Sequence, residues 1–138
     1  MLQHDTFVRV RYGETDQMGY VYYGKYAEYF EVGRVELIRN VLGLSYKAIE
    51  ENGYFLPVAN LNVKYHRPGR YDDLLRIRTC VPEMPRSSFL TEYEIFNEAD
   101  ELLVTGMVKL AFFHRERLVP VRIPAFIKEA VERQWKKD

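Results

Sequence analysis

Hydrophobic and polar positions alternate along this chain with two different periods, and the switches between them mark the elements. Between Thr6 and Tyr12, Val8, Val10 and Tyr12 alternate with Arg9 and Arg11, which predicts a first strand. A turn-rich segment with Gly13, Asp16 and Gly19 follows. From about Tyr23 the period lengthens. Tyr26, Phe30, Gly33, Leu37 and Val41 recur at three- and four-residue steps, with Ala27 and Ile38 beside them. Glu28, Glu31, Arg34, Glu36 and Arg39 fall mostly off that stripe. The pattern predicts a helix of about five turns, stopped by Gly43. Glycine inside a helix costs ~1 kcal/mol relative to alanine, so Gly33 implies close approach of another element, such as a sheet. A shorter helix is expected from Ser45 to Glu51, capped by Ser45 and ended by Gly53.

The remainder reads as strand. Ala59, Leu61, Val63 and Tyr65 alternate with Asn60, Asn62 and Lys64, and "RPGRYDD" then makes a turn. Leu75, Ile77, Thr79 and Val81 form the next alternating set, followed after "PEMPRSS" by Phe89, Thr91, Tyr93 and Ile95. "NEADE" closes a hairpin, and Val104, Gly106, Val108, Leu110 and Phe112 share one face of a long last strand. Pro124 opens a terminal helix. Hairpin-length connections imply an antiparallel sheet, so the class is α+β. A sheet of about five strands must cover its apolar face, and the long helix is the one element large enough to do so. The expected architecture is a curled antiparallel sheet wrapped around a central helix, with a C-terminal helix, in one domain spanning 1–138.

Composition narrows the function classes. Lys plus Arg equals Asp plus Glu at 20 each, so no net field draws the protein to nucleic acid or anionic lipid. The single cysteine, Cys80, rules out an internal disulfide or a multi-cysteine zinc site and suits a reducing compartment. The start of the chain lacks the apolar run of a signal peptide, and no stretch approaches membrane-spanning length. A cytoplasmic protein without a membrane span is therefore expected.

Familiar catalytic motifs are missing: no GxSxG elbow, no GxxxxGK[ST] loop, no GxGxxG and no HExxH. His4, His66 and His114 lie far apart on separate elements, and no cofactor or metal is expected. Attention falls on "ETDQMGYVYYGKY", where Asp16 precedes the start of the long helix. A helix start presents unpaired N–H groups and the positive end of the helix dipole, which together stabilise an oxyanion. A nearby carboxylate could attack a carbonyl or activate water. Asp also favours turns for its own backbone bonding, and spacing alone favours that plainer reading.

Recognisable residues change the balance. "RVRYGETDQMGYVYYGKYAEYFEVGRVELIR" resembles the N-terminal signature of the 4-hydroxybenzoyl-CoA thioesterase-like family of hot-dog proteins, through Tyr12, Asp16, Gly19, Val21, Tyr22, Tyr26, Tyr29-Phe30-Glu31 and Arg34. "YHRPGRYDD", "PRSSF" and "RLVPVRIP" match further on, so the resemblance runs along nearly the whole chain, most like the broad bacterial acyl-CoA thioesterase branch. It implies the hot-dog fold and hydrolysis of an acyl-CoA to a carboxylic acid and CoA. By the same resemblance the catalytic carboxylate falls on Asp16, as nucleophile or general base, and the carbonyl-polarising backbone amide on Tyr23. Many members carry His where this chain has Tyr23, but an N–H needs no particular side chain. Gly19 lets the loop turn, and Tyr20 and Tyr22 flank it as candidates for the acyl pocket or a subunit contact. Arg86 and Arg117 are the candidates for the CoA phosphates. The resemblance also implies pairing of subunits into dimers, commonly homotetramers, with sites between subunits.

Two other readings compete. A non-catalytic acyl-binding or oligomeric interaction module could keep the same fold. A hot-dog dehydratase would want a His beside the long helix, and none lies there.

Overall fold

The computed structural model describes residues 1–136. In chain order it contains β1 (Leu2–Arg9), a 3-10 turn at Tyr12–Glu14, α1 (Lys25–Val41), α2 (Tyr46–Glu51), β2 (Tyr54–Phe55) and β3 (Val58–Tyr65). There follow β4 (Leu74–Val81), β5 (Ser88–Phe96), β6 (Leu102–His114), β7 (Pro120–Val121) and α3 (Ala125–Gln134). Every strand pair is antiparallel, and the long strands lie in the order β1-β4-β5-β6-β3. The two-residue β2 and β7 border the far end of β6 and carry too little alternation to be seen as strands in the sequence.

The alternating sets do what their period requires. Leu75, Ile77, Thr79 and Val81 are buried on β4, as are Phe89, Thr91, Tyr93 and Ile95 on β5 and Val104, Val108, Leu110 and Phe112 on β6. Helix α1 lies across this face with Tyr26, Tyr29, Phe30, Gly33, Leu37 and Ile38 buried. Phe30 stacks on Tyr93 with ring centroids 4.3 Å apart. A Cβ added to Gly106 would fall 2.5 Å from the Phe30 ring, so both Gly106 and Gly33 mark close contact between helix and sheet. Ser45 caps α2 by accepting the Ala48 N–H at 3.0 Å, and Gly43 and Gly53 end the two helices at φ +68° and +98°.

Three expectations need correction. The first strand runs from Leu2 to Arg9 and stops before Tyr12. Glu14 accepts the Arg11 N–H at 2.8 Å, and this local side-chain bond turns the chain into the 3-10 segment, leaving Tyr12 exposed. The long helix begins at Lys25 rather than Tyr23. Arg34, off the predicted stripe, is buried, with its Nε donating to the Tyr46 hydroxyl at 3.0 Å.

Edge strand β3 departs from the rest of the sheet. Helix α1 packs most closely on β1 and β4 and meets β3 at Tyr65, whose ring centroid lies 5.7 Å from that of Tyr26. Val58, Leu61 and Tyr65 are nonetheless exposed. Among the described residues no helix is long and apolar enough to cross a membrane.

Candidate active site

Residues 14–25 form a short tongue in front of α1. An isolated bridge between Thr15 and Val21 joins its two legs. At the tip, the Asp16 N–H donates to Tyr20 O at 2.8 Å and the Gly19 N–H to Asp16 O at 3.0 Å, with Gly19 at φ +79°. The Asp16 side chain joins this turn: Oδ1 accepts the Met18 N–H at 2.9 Å and the Tyr20 N–H at 3.2 Å. Asp16 is thus a turn residue, as spacing alone favours, but with one oxygen only. Among the described residues Oδ2 has no hydrogen-bond partner.

The second leg delivers the chain to the helix start. The Val21 N–H donates to Gly69 O at 2.8 Å, the Tyr22 N–H to Glu14 O at 2.9 Å and the Lys25 N–H to Tyr22 O at 2.9 Å. Between these bonds, the Tyr23 and Gly24 N–H groups donate to no acceptor among the described residues. The Tyr23 carbonyl is held from outside by the Tyr65 hydroxyl at 3.2 Å.

A cavity of about 300 Å³ is lined by both Asp16 and Tyr23. Asp16, Met18, Tyr20, Val21, Tyr23 and Tyr26 line it from the tongue and α1, and Tyr65 to Pro68 close the other side. Tyr20 is steadied by Arg70, whose guanidinium carbon lies 4.9 Å from the ring centroid. Tyr26 is buried as its stripe position requires, yet it also lines the cavity, and its hydroxyl accepts the Gly69 N–H at 3.2 Å. Burial pushes that hydroxyl above the ordinary tyrosine range, with the Gly69 N–H offsetting only part of the rise.

Of the residues proposed from sequence, Asp16, Tyr20 and Tyr23 meet at this cavity, and Gly19 closes the turn behind Asp16. Tyr22 does not line it; its ring leans on Tyr23, with centroids 4.6 Å apart. Arg86 and Arg117 lie at the other end of the sheet. Arg86 precedes Ser88, which pairs with Ala111, whereas the cavity-lining Tyr65 pairs with Val104. Those two positions on β6 are roughly 24 Å apart along an extended strand. Within one subunit neither arginine reaches Asp16.

Glu14 escaped the sequence reading. It is 9% exposed, and its Oε1 accepts both the Arg11 N–H at 2.8 Å and the Tyr29 hydroxyl at 3.0 Å. Burial works to raise its carboxyl pKa, but the bonds from the Arg11 N–H and the Tyr29 hydroxyl, with the Arg11 charge, outweigh it and hold Glu14 below the usual range. Burial and the adjoining Glu14 charge push the Tyr29 hydroxyl well up, so Tyr29 stays the donor. Fifteen positions separate the two residues, and no local pattern announces such a pair. Among the described residues, no three His, Cys, Asp or Glu side chains gather as a metal-holding group.

Comparison with known proteins places this geometry in context. The sequence profile of the thioesterase-like superfamily matches residues 10–131. YneP of Bacillus subtilis is 33% identical over 115 residues, covering 83% of each chain. The acyl-CoA thioesterase YbgC of Haemophilus influenzae is 31% identical over 123 residues, covering 89% of this chain and 90% of its own. Among solved structures, a DHNA-CoA thioesterase from Staphylococcus aureus superposes with a TM-score of 0.90 at 36% identity, covering 96% of this chain and 91% of its own.

Proposed function

The chain belongs to the thioesterase-like superfamily, with its hot-dog fold, and from that premise we propose that it is an acyl-CoA thioesterase whose reacting groups are Asp16 and the Tyr23 N–H. One observation carries the assignment: Asp16, with a carboxylate oxygen that has no partner among the described residues, and Tyr23, whose helix-start N–H has no acceptor among them, line the same cavity.

Oδ1 is committed to the turn, so Oδ2 is the reacting atom. As nucleophile, Oδ2 attacks the thioester carbonyl carbon, the carbonyl electrons move to oxygen, and collapse expels the CoA thiolate to leave an acyl-aspartyl anhydride. Water then cleaves the anhydride, restoring the carboxylate and releasing the acid. As general base, Oδ2 takes a proton from water while the water oxygen attacks, and the same collapse follows. On either route the tetrahedral oxyanion lies against the Tyr23 N–H and the positive end of α1. Isotope-labelled water in a single turnover separates them: label in the Asp16 carboxylate marks the anhydride route.

The same reading assembles the enzyme from copies of itself. The open edge of β3 suits a second chain, extending the sheet into a dimer, and two dimers would complete a homotetramer. In such an assembly Arg86 and Arg117 serve the CoA phosphates of a neighbouring subunit's site, and Tyr22, turned outward, serves as a subunit contact. The lone Cys80 suits work in the cytoplasm.

The test is thiol release from a panel of acyl-CoAs, short aliphatic to aromatic, by wild type and Asp16→Asn. Asp16→Asn is expected to lose 10²-fold or more of kcat, the usual scale for such a group. Full activity in Asp16→Asn on every hydrolysed thioester would remove Asp16 from the mechanism. Tight binding without turnover of any thioester would instead mark a binding module.

A further inference from the structure

Glu14 is an ionised side chain, nearly buried, that the proposed chemistry does not use. Its neighbours show where its influence goes. The side chain ties the tongue to α1 through the Tyr29 hydroxyl and ties back to Arg11 through the N–H at 2.8 Å and Nη2 at 3.2 Å. The main chain of the same residue accepts the Tyr22 N–H at 2.9 Å. Asp16 comes two residues after Glu14, and Tyr23 comes one residue after Tyr22. Both reacting groups therefore hang from one anchor point, and the bridge between Thr15 and Val21 stiffens the span between them.

Stability alone does not account for a carboxylate here. Taking the carboxylate out of water offsets part of what its partners return, and its ion-pair partner, the Arg11 side chain, lies in solvent, so the pair is a weak stabiliser. Charge-assisted bonds are shorter and more directional than neutral ones, so what they provide is a fixed distance. A glutamate with three donors around it holds the tongue against the second turn of α1 in one geometry. We propose that Glu14 is the positioning residue of this site: linked to Tyr29, it sets the separation between Asp16 Oδ2 and the Tyr23 N–H. The inference rests on the reading of Asp16 and Tyr23 as the reacting groups.

The experiment compares wild type with Glu14→Gln, Glu14→Asp, Tyr29→Phe and the Glu14→Gln/Tyr29→Phe pair, using the acyl-CoA that wild type hydrolyses best. Thermal unfolding first establishes the temperature at which each variant is folded. Misplacement of a reacting group by about 1 Å can cost on the order of 100-fold, so each single variant is expected to lose roughly 10- to 100-fold in kcat. KM should stay within about threefold, because the ground-state contacts are untouched. The double variant should cost no more than the worse single, since both changes cut one link. Glu14→Asp keeps the charge on a shorter arm that cannot span Arg11 and Tyr29 together, so it should fall with Glu14→Gln. Tyr29→Phe leaves its ring packed and serves even if the Glu14 variants do not fold.

Folded variants with lowered stability but unchanged kcat would overturn the proposal, leaving Glu14 a scaffold residue. Full activity in Glu14→Asp would also overturn it, since charge rather than reach would then matter. Inactive wild type, or fully active Asp16→Asn, sinks the Asp16 reading itself. Loss in Asp16→Asn with kcat retained in the Glu14 and Tyr29 variants sinks only the present inference.

Discussion

Gly33 of α1 lies directly over Thr79 of β4, so closely that a Cβ on the glycine would overlap Thr79 Oγ1 and fall 2.9 Å from Ile77 Cγ2. Alanine at this position gains ~1 kcal/mol of helix propensity. Against that, overpacking a close-fitted core costs typically about 1–3 kcal/mol. Thr79 and Ile77 are branched at Cβ and fully buried in a central strand, so neither can give way easily. Gly33→Ala is therefore expected to lower unfolding free energy by roughly 1–2 kcal/mol in urea denaturation. A gain in stability, as at an exposed helix position, would show that the contact is softer than the structure indicates.

Gly19 presents the opposite case. A Cβ there would meet nothing within 4 Å, but the residue sits at φ +79°. The cost of substitution is wholly in the backbone, about 1–2 kcal/mol for an ordinary residue and less for Asn. Because the Gly19 N–H closes the turn on Asp16 O, strain here also moves the carboxylate. Stability and kcat should both fall in the order wild type, Gly19→Asn, Gly19→Ala, Gly19→Val. Equal activity in Asn and Val variants would detach the φ angle from Asp16 placement.

The Glu14 carboxyl has its pKa depressed in the folded chain from an ordinary value of about 4.5. Its stabilising contribution is therefore fully present above about pH 4.5 and is lost as pH falls through the folded value. Glu14→Gln has no such dependence at this position. The difference in unfolding free energy between wild type and Glu14→Gln should be largest near neutrality and shrink in acid. Denaturant titrations across that range check it; a difference independent of pH would mean that ionisation of Glu14 does not contribute.

How much of this was readable in the sequence follows from how local each feature is. The helix caps and stops at Ser45, Gly43 and Gly53 depend on residues a few positions away, and all three stand where the pattern put them. The role of Gly33 was legible because an interior glycine in a helix demands a packing reason, and β4 supplies it. Asp16 and Tyr23 share a cavity because a turn leads straight into a helix start. The wall opposite them, Tyr65 to Pro68, comes from more than 40 residues later, within what reads only as a strand end and a turn. The burial of Arg34, which falls off the apolar stripe, was hidden because its partner, Tyr46, lies on another helix. Glu14 was hidden for the same reason: the hydroxyl that buries it belongs to Tyr29, across the tongue. Period reveals which face is apolar, but not which polar groups find one another across elements.

Among the described residues strand β3 pairs only with β6, which leaves its other edge open, and Leu61 and Tyr65 face the same side as the buried row yet are 45% and 52% exposed. A long edge with apolar side chains pairs indiscriminately unless something covers it. Because two-fold pairing of β3 with its copy is antiparallel, it would bring the partner's Val58 end beside Tyr65, and Tyr65 holds the Tyr23 carbonyl and lines the cavity. Assembly through this edge would thereby couple to activity. Leu61→Lys places a charge in that seam without touching the cavity lining. Analytical ultracentrifugation should find wild type as a dimer or larger and Leu61→Lys shifted toward monomer, with activity falling in parallel as protein is diluted. A monomeric wild type with full activity would show that the exposed edge is not the route of assembly and that the cavity is complete in one chain.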